Sequence, residues 1–257
     1  MTKALGFILL ACLGAYAAAG LALFVAQRSF IYYPPATPMF PAPKTSTLEV
    51  SGAVLRISER PLQGERAVIY FGGNAEDVSA SLPLLNVAFP DHALYLPHYR
   101  GYLGSTGTPS EKALVADALA LFDRVAAEHK EIVVIGRSLG SGIAVQVAAV
   151  RPVKKLVLVT PFDSLQSLAA RHFPYFPVRW LLRDRYESWR HAPQVKAATL
   201  LLVAGQDEII PAQSSARLLA HFPGGVATMQ VIGGAGHNTI SETAAYVPAL
   251  QWAGAAP

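Results

Sequence analysis

The chain has 257 residues, of which 52% are hydrophobic and 15% are charged. This length fits one α/β domain with a short appendage, and the composition allows a large core together with a membrane segment. The formal net charge is +4. That charge suits an anionic membrane surface, and since no nucleic-acid-binding motif accompanies it, a nucleic-acid partner is not expected.

The first predicted element is a long apolar helix. Residues 4–26 contain no charged residue, and as a helix they would span about 34 Å, slightly more than the hydrocarbon core of a bilayer. We therefore expect residues 1–28 to be a transmembrane signal anchor that makes this a single-pass membrane protein with membrane lipids as partners. Basic residues flank the segment on both sides, so their count favours neither orientation.

Two other interpretations of this segment stay open. Ala17-Ala18-Ala19 fits a signal-peptidase site, although the apolar run continues past it. Residues 9–12 resemble a lipoprotein box but leave only a short apolar stretch before Cys12. Cys12 is the single cysteine of the chain, so no disulfide is expected.

After the apolar segment, residues 29–46 are proline-rich and predict an extended connector. A domain over residues 47–253 should follow, beginning with a β-meander from Thr47 to about Phe71. Strands and helices then alternate, which is typical of an α/β fold with a mostly parallel central sheet and helices on both faces. The predicted elements are strand 92–96, helix 111–129, strand 131–136, helix 139–150, strand 155–159, strand 199–204, helix 211–221, strand 226–232 and helix 239–252.

Residues 165–193 interrupt this alternation and are expected to form a small cap. They mix aromatic residues with arginines, a composition suited to a lipid headgroup layer above an acyl pocket. Packing of the same aromatic residues onto the domain, with solvated arginines, is the alternative. The residues concerned are Phe173, Tyr175, Phe176, Trp180, Tyr186, Trp189, Arg171, Arg179, Arg183 and Arg185.

A serine between two glycines, in the run Gly136-Arg137-Ser138-Leu139-Gly140, stands between a predicted buried strand and a predicted helix. A nucleophilic serine needs this setting, because the strand must turn sharply into the helix. Glycine at the flanking positions lets neighbouring backbone approach without a Cβ clash. Ser138 is therefore the predicted nucleophile.

The acid and the base are expected downstream, in the chain order serine, acid, histidine. Asp207 follows one apolar strand, and His237 lies in a glycine-rich loop after the next. The imidazole would take the serine proton, and the carboxylate would hold the imidazole in the correct tautomer. Asp163, which also follows a strand, is the alternative acid. The other six histidines lack this context.

The oxyanion hole is predicted from two backbone amides. One belongs to Leu139, at the amino end of the helix that follows the nucleophile. The other belongs to Asn74, in the Gly72-Gly73-Asn74 loop after the strand that ends at Phe71. No histidine, cysteine or aspartate cluster has metal-ligand spacing, so neither a metal nor a cofactor is expected.

Together these motifs make the chain resemble the Bem46-like branch of the α/β-hydrolases, which includes the membrane-tethered ABHD13 and ABHD17 proteins. By that resemblance Ser138, Asp207 and His237 match the family triad, and Asn74 with Leu139 matches its oxyanion hole. Relatives usually begin the oxyanion motif with histidine, where this chain has Gly72. The motifs that carry the resemblance are residues 72–77, 100–111, 136–140, 161–165 and 236–238.

The expected function is that of a serine hydrolase, which cleaves a carboxylic ester or thioester, lipid-like substrates included, through an acyl-enzyme intermediate. A serine peptidase of the prolyl-oligopeptidase type shares the same triad order. The short cap and the lack of a propeller domain argue against it. A non-catalytic membrane protein that retains the fold is the competing class, but such a protein would be expected to have lost at least one triad member.

Overall fold

A single sheet lies at the centre of the computed structural model, which describes residues 2–37 and 44–255. Within these residues the sheet has eight strands. They are β1 (Thr45–Val50), β2 (Ala53–Arg60), β3 (Arg66–Phe71), β4 (Ala93–Pro97), β5 (Glu131–Arg137), β6 (Lys155–Val159), β7 (Ala198–Ala204) and β8 (Ala227–Ile232).

The order of the strands across the sheet is β1-β2-β4-β3-β5-β6-β7-β8. β2 pairs antiparallel with both β1 and β4, and all the pairs from β4 to β8 are parallel. The predicted meander over the first three strands is therefore wrong, because β3 pairs with β4 and β5. Residues 67–71 of β3 are all buried, and a strand buried on both faces belongs inside a parallel sheet.

Helices cover both faces of the sheet, which confirms the predicted α/β architecture. One core cluster packs under α3 and α4, and a second packs under α2 and α9 on the opposite face. The helices are α1 (Thr2–Ile31), α2 (Leu82–Ala88), α3 (Glu111–Ala126), α4 (Leu139–Val150), α5 (Leu165–His172), α6 (Val178–Leu181), α7 (Ser188–His191), α8 (Ala212–Leu219) and α9 (Tyr246–Gly254).

Two helices differ from the sequence expectation. α2 was not predicted at all, and its seven residues are too few for a helical periodicity to stand out. The predicted helix over 239–252 divides into a short 3-10 turn at Ile240–Glu242 and α9. The segment 165–193 forms a small cap from α5, α6 and α7 with the loops between them.

α1 is long and apolar enough to cross a membrane, with a mean hydropathy of 2.3 over its most apolar stretch, none of which is buried. Its C-terminal half packs against the cap. The Tyr16 ring stacks on Phe176 with centroids 5.2 Å apart, and the guanidinium of Arg183 lies 4.1 Å from the Phe24 ring centroid.

The described part of the predicted connector is shorter than expected at both ends. α1 continues through Ile31, and β1 already begins at Thr45. Near the end of α1, Arg28 forms an ion pair with Asp184 of the cap, with 2.9 Å between Nε and Oδ2. Residues 38–43 of the predicted connector lie outside the described residues.

Candidate active site

Ser138 occupies the sharp turn between β5 and α4. Its backbone angles, φ 49° and ψ −115°, are ones that a non-glycine residue adopts only where the surrounding structure enforces them. The enforcement comes from close packing of α4 on the end of β3: a Cβ at Gly140 would lie 2.6 Å from the carbonyl oxygen of Gly72. This strained turn leaves the Ser138 hydroxyl at the carboxyl edge of the parallel strands.

Three predicted site residues form one hydrogen-bond chain. The Ser138 Oγ lies 2.9 Å from His237 Nε2. His237 Nδ1 lies 3.0 Å and 2.9 Å from the two carboxylate oxygens of Asp207. An ionised carboxylate can only accept, so Nδ1 carries the imidazole proton and Nε2 is left to accept from the serine hydroxyl. This is the protonation pattern that a general base requires.

Asp207 is held in its ionised form by its surroundings. The side chains of His237 and Asp207 are only 5% and 2% exposed. Burial alone raises the pKa of Asp207, but hydrogen bonds from His237 and from the amides of Ile210 and Ile209 outweigh it, so this pKa lies below its ordinary value. The hydrogen bonds from the Ile210 and Ile209 amides to Asp207 Oδ1 are 2.7 Å and 2.9 Å long.

Asp163, the alternative acid, has other partners. Its carboxylate forms an ion pair with Arg217, 2.9 Å from Oδ2 to Nε, and accepts a hydrogen bond from the Ser214 hydroxyl. Burial raises the pKa of Asp163, but these two partners lower it below its ordinary value. Both of its carboxylate oxygens are therefore engaged with α8, while His237 faces Asp207.

The loop after β3 brings Asn74 beside the nucleophile. A Cβ placed on the neighbouring Gly73 would lie 3.6 Å from the Cβ of Ser138. The Asn74 side-chain oxygen accepts from the Tyr33 amide and the Tyr102 hydroxyl, each at 2.9 Å. Within the described residues the backbone amide of Asn74 donates no hydrogen bond, which leaves it available to a ligand.

Leu139 is the first residue of α4, so its amide has no acceptor within the helix. It directly follows the Ser138 turn. The predicted pair of amides therefore comes from two segments, the loop after β3 and the first turn of α4. Amides without an acceptor can donate to an oxygen that gains negative charge during attack.

The departure at Gly72 has a steric reason in this chain. A Cβ at position 72 would lie 2.5 Å from a methyl carbon of Val78. The Gly72 carbonyl accepts a hydrogen bond from the Tyr99 hydroxyl at 2.8 Å. A side chain at this position, histidine included, would therefore require Val78 to shift, at the start of the 3-10 turn Val78–Ser81 that follows this loop.

Sequence reasoning missed two residues that hold the site loops together. The carboxylate of Glu76 accepts from the Gly73 amide at 2.6 Å and from the Tyr70 hydroxyl at 2.8 Å. Arg137 lies 3.8 Å from Glu76 and donates to the carbonyl oxygen of Asn238 at 3.2 Å. Arg137 therefore connects the loop of Asn74 to the loop of His237. Its place directly before the nucleophile was the available signal.

A third missed residue is Glu208, which follows Asp207 directly. Its carboxylate accepts from the backbone amide of His237 at 3.0 Å, so it fixes the glycine-rich loop that carries the imidazole.

Within residues 2–37 and 44–255, no group of three or more histidine, cysteine, aspartate or glutamate side chains is arranged to hold a metal ion.

Comparison with known proteins agrees with this fold. A family model described as the alpha/beta hydrolase fold matches residues 67–185. The solved structure of MGS-M2, an alpha/beta hydrolase from a deep-sea metagenome library, superposes with a TM-score of 0.69 at 14% identity, over 82% of this chain and 98% of that one. An uncharacterised protein of Mycobacterium tuberculosis is 34% identical, covering 87% of this chain and 85% of its own length. The chain belongs to the α/β-hydrolase family.

More distant relatives confirm the resemblance to the Bem46-like branch. Protein bem46 of Schizosaccharomyces pombe is 27% identical over 74% of this chain and 72% of its own length. Lysophosphatidylserine lipase ABHD12 of Bos taurus is 29% identical over 47% of this chain and 35% of its own length.

Proposed function

We propose that this protein is a membrane-anchored serine hydrolase that cleaves carboxylic esters or thioesters through an acyl-enzyme intermediate. The observation that carries the proposal is the hydrogen-bond chain from Ser138 through His237 to Asp207, built on a strained turn at the carboxyl edge of the sheet. A serine hydroxyl is a weak nucleophile by itself, and an adjacent oriented base is what activates it.

In the acylation step, the Ser138 Oγ attacks the substrate carbonyl carbon while its proton passes to His237 Nε2. The carbonyl oxygen becomes an oxyanion, which the amides of Asn74 and Leu139 stabilise. When the tetrahedral intermediate collapses, the bond to the alcohol or thiol breaks and His237 returns the proton to that leaving group. Asp207 stays ionised throughout and stabilises the imidazolium.

Deacylation repeats the sequence with water. His237 removes a proton from the water as it attacks the acyl-Ser138 ester, and the same two amides stabilise the second oxyanion. Collapse of this intermediate breaks the bond to Oγ, and His237 returns the proton to Ser138. The products are a free carboxylic acid and the original enzyme. No cofactor or metal takes part in either step.

Two features support a membrane location and an acyl lipid or lipid-modified substrate. α1 has the length and hydropathy of a single transmembrane span, which would keep the hydrolase domain against the bilayer. The cap beside it exposes aromatic residues and carries arginines, which suit a layer of lipid headgroups. A relative named a lysophosphatidylserine lipase supports the same substrate class.

Labelling with an alkyl fluorophosphonate tests the nucleophile. Ser138→Ala should abolish covalent labelling and reduce ester turnover by roughly three or more orders of magnitude, since the attacking oxygen is lost while the fold is kept. Ser51→Ala, at an exposed serine in the turn between β1 and β2, is the matched control and should be labelled at the wild-type rate. Labelling of a folded Ser138→Ala protein at that rate would refute the proposal.

A further inference from the structure

An apolar cavity of about 460 Å³ lies between α1 and the cap. This volume falls in the range of about 300–1,000 Å³ that is usual for small-molecule sites. Leu23, Phe24 and Ile31 of α1 form one wall, and Leu165, Leu168 and Ala169 of α5 form the opposite wall. Such a lining fits a hydrocarbon chain.

The polar residue that α1 contributes to this lining is already occupied. The Gln27 Nε2 donates to the carbonyl oxygens of Phe24 and Leu181, at 2.7 Å and 3.2 Å. Its Oε1 accepts from the Arg183 amide at 2.7 Å. Gln27 therefore joins α1 to the cap and offers the cavity no free hydrogen-bonding group of its own.

One end of the cavity adjoins the candidate active site. Tyr33 and Ile209 belong to the lining. The Tyr33 amide donates to the Asn74 side chain at 2.9 Å, and the Ile209 amide donates to Asp207 at the same distance. Two residues of the cavity lining are thus hydrogen-bonded directly to the predicted oxyanion loop and to the predicted acid of the triad.

We propose that α1 is a wall of the substrate site and not only a tether: a single acyl chain of the ester or thioester lies between α1 and the cap, with its carbonyl group at Ser138. This inference rests on the proposed hydrolase function and specifies its acyl-binding site. A hydrocarbon chain in this cavity leaves water for an apolar lining, which favours long-chain over short-chain substrates.

A buried polar cluster keeps this wall in place. Asp184 of the cap accepts hydrogen bonds from Arg28 at 2.9 Å and from the Tyr32 hydroxyl at 3.1 Å. The Tyr186 hydroxyl lies 2.9 Å from that of Tyr32. Burial raises the pKa of Tyr32 far above its ordinary value, so the phenol stays protonated and continues to donate. The C-terminal end of α1 is therefore fixed to the cap.

Leucines on two sides of α1 provide a matched test with the full-length protein in detergent micelles. Leu23 lines the cavity, whereas Leu21 is 63% exposed and lies outside the lining. In Leu23→Trp the larger ring fills the space for the chain. We expect kcat/KM for palmitoyl esters to fall by at least about tenfold relative to acetyl esters. In Leu21→Trp this ratio should stay at the wild-type value.

The rates of labelling by a short and a long alkyl fluorophosphonate separate the two proposals. Labelling of wild-type Ser138 by the short reagent supports the serine hydrolase, and its failure would refute that function. If the short reagent labels all three proteins equally while the long one reacts more slowly only with Leu23→Trp, the acyl site is supported. An unchanged ratio of long to short labelling in Leu23→Trp overturns it, and so does an equal loss in Leu21→Trp.

Discussion

At the scale of single residues, Asp207 and Asp163 both follow strands of the parallel part of the sheet. Their different hydrogen-bond partners show that the two carboxylates have different roles. The Asp207 carboxylate accepts hydrogen bonds from His237 and from two backbone amides. Asp163 receives Arg217 and Ser214, and its backbone carbonyl accepts from the Trp189 amide of α7. Asp163 therefore holds the cap to α8, and Asp207 orients the imidazole.

This difference predicts different effects of amide substitution. Asp207→Asn favours the wrong tautomer of His237, and by analogy with serine proteases kcat should fall by roughly 10⁴-fold. Asp163→Asn should lower the thermal stability, since the Arg217 ion pair is lost, and should reduce kcat far less. Steady-state kinetics and thermal unfolding of both variants make the comparison. A larger loss of kcat in Asp163→Asn would show that Asp163, and not Asp207, is the acid.

The candidate site was largely predictable at this scale, and the reason is local. Ser138, Asp207 and His237 each follow a strand that its apolar run identifies, and the carboxyl ends of parallel strands share one edge of the sheet. Glu76 and Glu208 were not predictable, because a charged residue in a loop is ordinarily solvated and its sequence context gives no sign of contacts with other loops. For Arg137, at the end of β5, the place directly before the nucleophile was a signal, but it did not identify the partners Glu76 and Asn238.

At the scale of elements, the strands were predictable and their neighbours were not. The apolar run of β3 indicates a buried strand, but the run itself does not say which strands lie beside it. Here β4 lies between β2 and β3, because the crossover through α2 places it on the side of β3 that faces β2. The position of α1 against the cap was not predictable either, because an apolar helix has the same composition whether it lies in lipid or packs against protein.

The contact between α1 and the cap depends on Asp184, whose side chain is 5% exposed. Asp184→Asn keeps the shape but removes the charge that Arg28 and Tyr32 both bind. Arg28 is itself 41% exposed, which weakens the ion pair through solvent screening, so we expect a loss of about 1–2 kcal/mol. Thermal unfolding in detergent and the rate of limited proteolysis within the cap would measure it.

Asp123→Asn is the matched control for this variant. Asp123 also pairs with an arginine through both of its oxygens, at 2.6 Å and 2.8 Å from Arg151, but it lies on the surface. An exposed ion pair contributes about 0–1 kcal/mol. Equal destabilisation by the two substitutions, or unchanged proteolysis of the cap in Asp184→Asn, would show that Asp184 does not hold α1.

At the scale of the whole molecule, α1 and the hydrolase domain overlap along the helix axis. The cap reaches α1 as far back as Tyr16, whose hydroxyl donates to the Tyr175 carbonyl at 2.7 Å. Only residues 2–15, about 21 Å of helix, extend beyond this contact. The hydrocarbon core of a bilayer is about 30 Å thick. Under the proposed membrane anchoring, the free part of the helix is too short to cross it alone.

Part of the cap must therefore enter the bilayer. Tyr175, which is 85% exposed and accepts the hydrogen bond from Tyr16, lies on the part of the cap that would enter the lipid. The remaining mismatch would be taken up by tilting or by local thinning of the membrane, at a modest free-energy cost per ångström. Turnover of a lipid ester by the reconstituted protein should then fall as bilayers are made from lipids with longer acyl chains. Equal turnover across the series would exclude this effect.

Under the proposed anchoring and function, the stacking of Tyr16 on Phe176 would give membrane thickness a direct influence on turnover. In a thin membrane the cap can rest at the interface with its contacts to α1 intact. In a thicker one the same helix must either draw the cap deeper or separate from it, and separation would open the cavity between them. Hydrophobic mismatch would then act on the substrate site itself, and the same chain would work at different rates in membranes of different thickness.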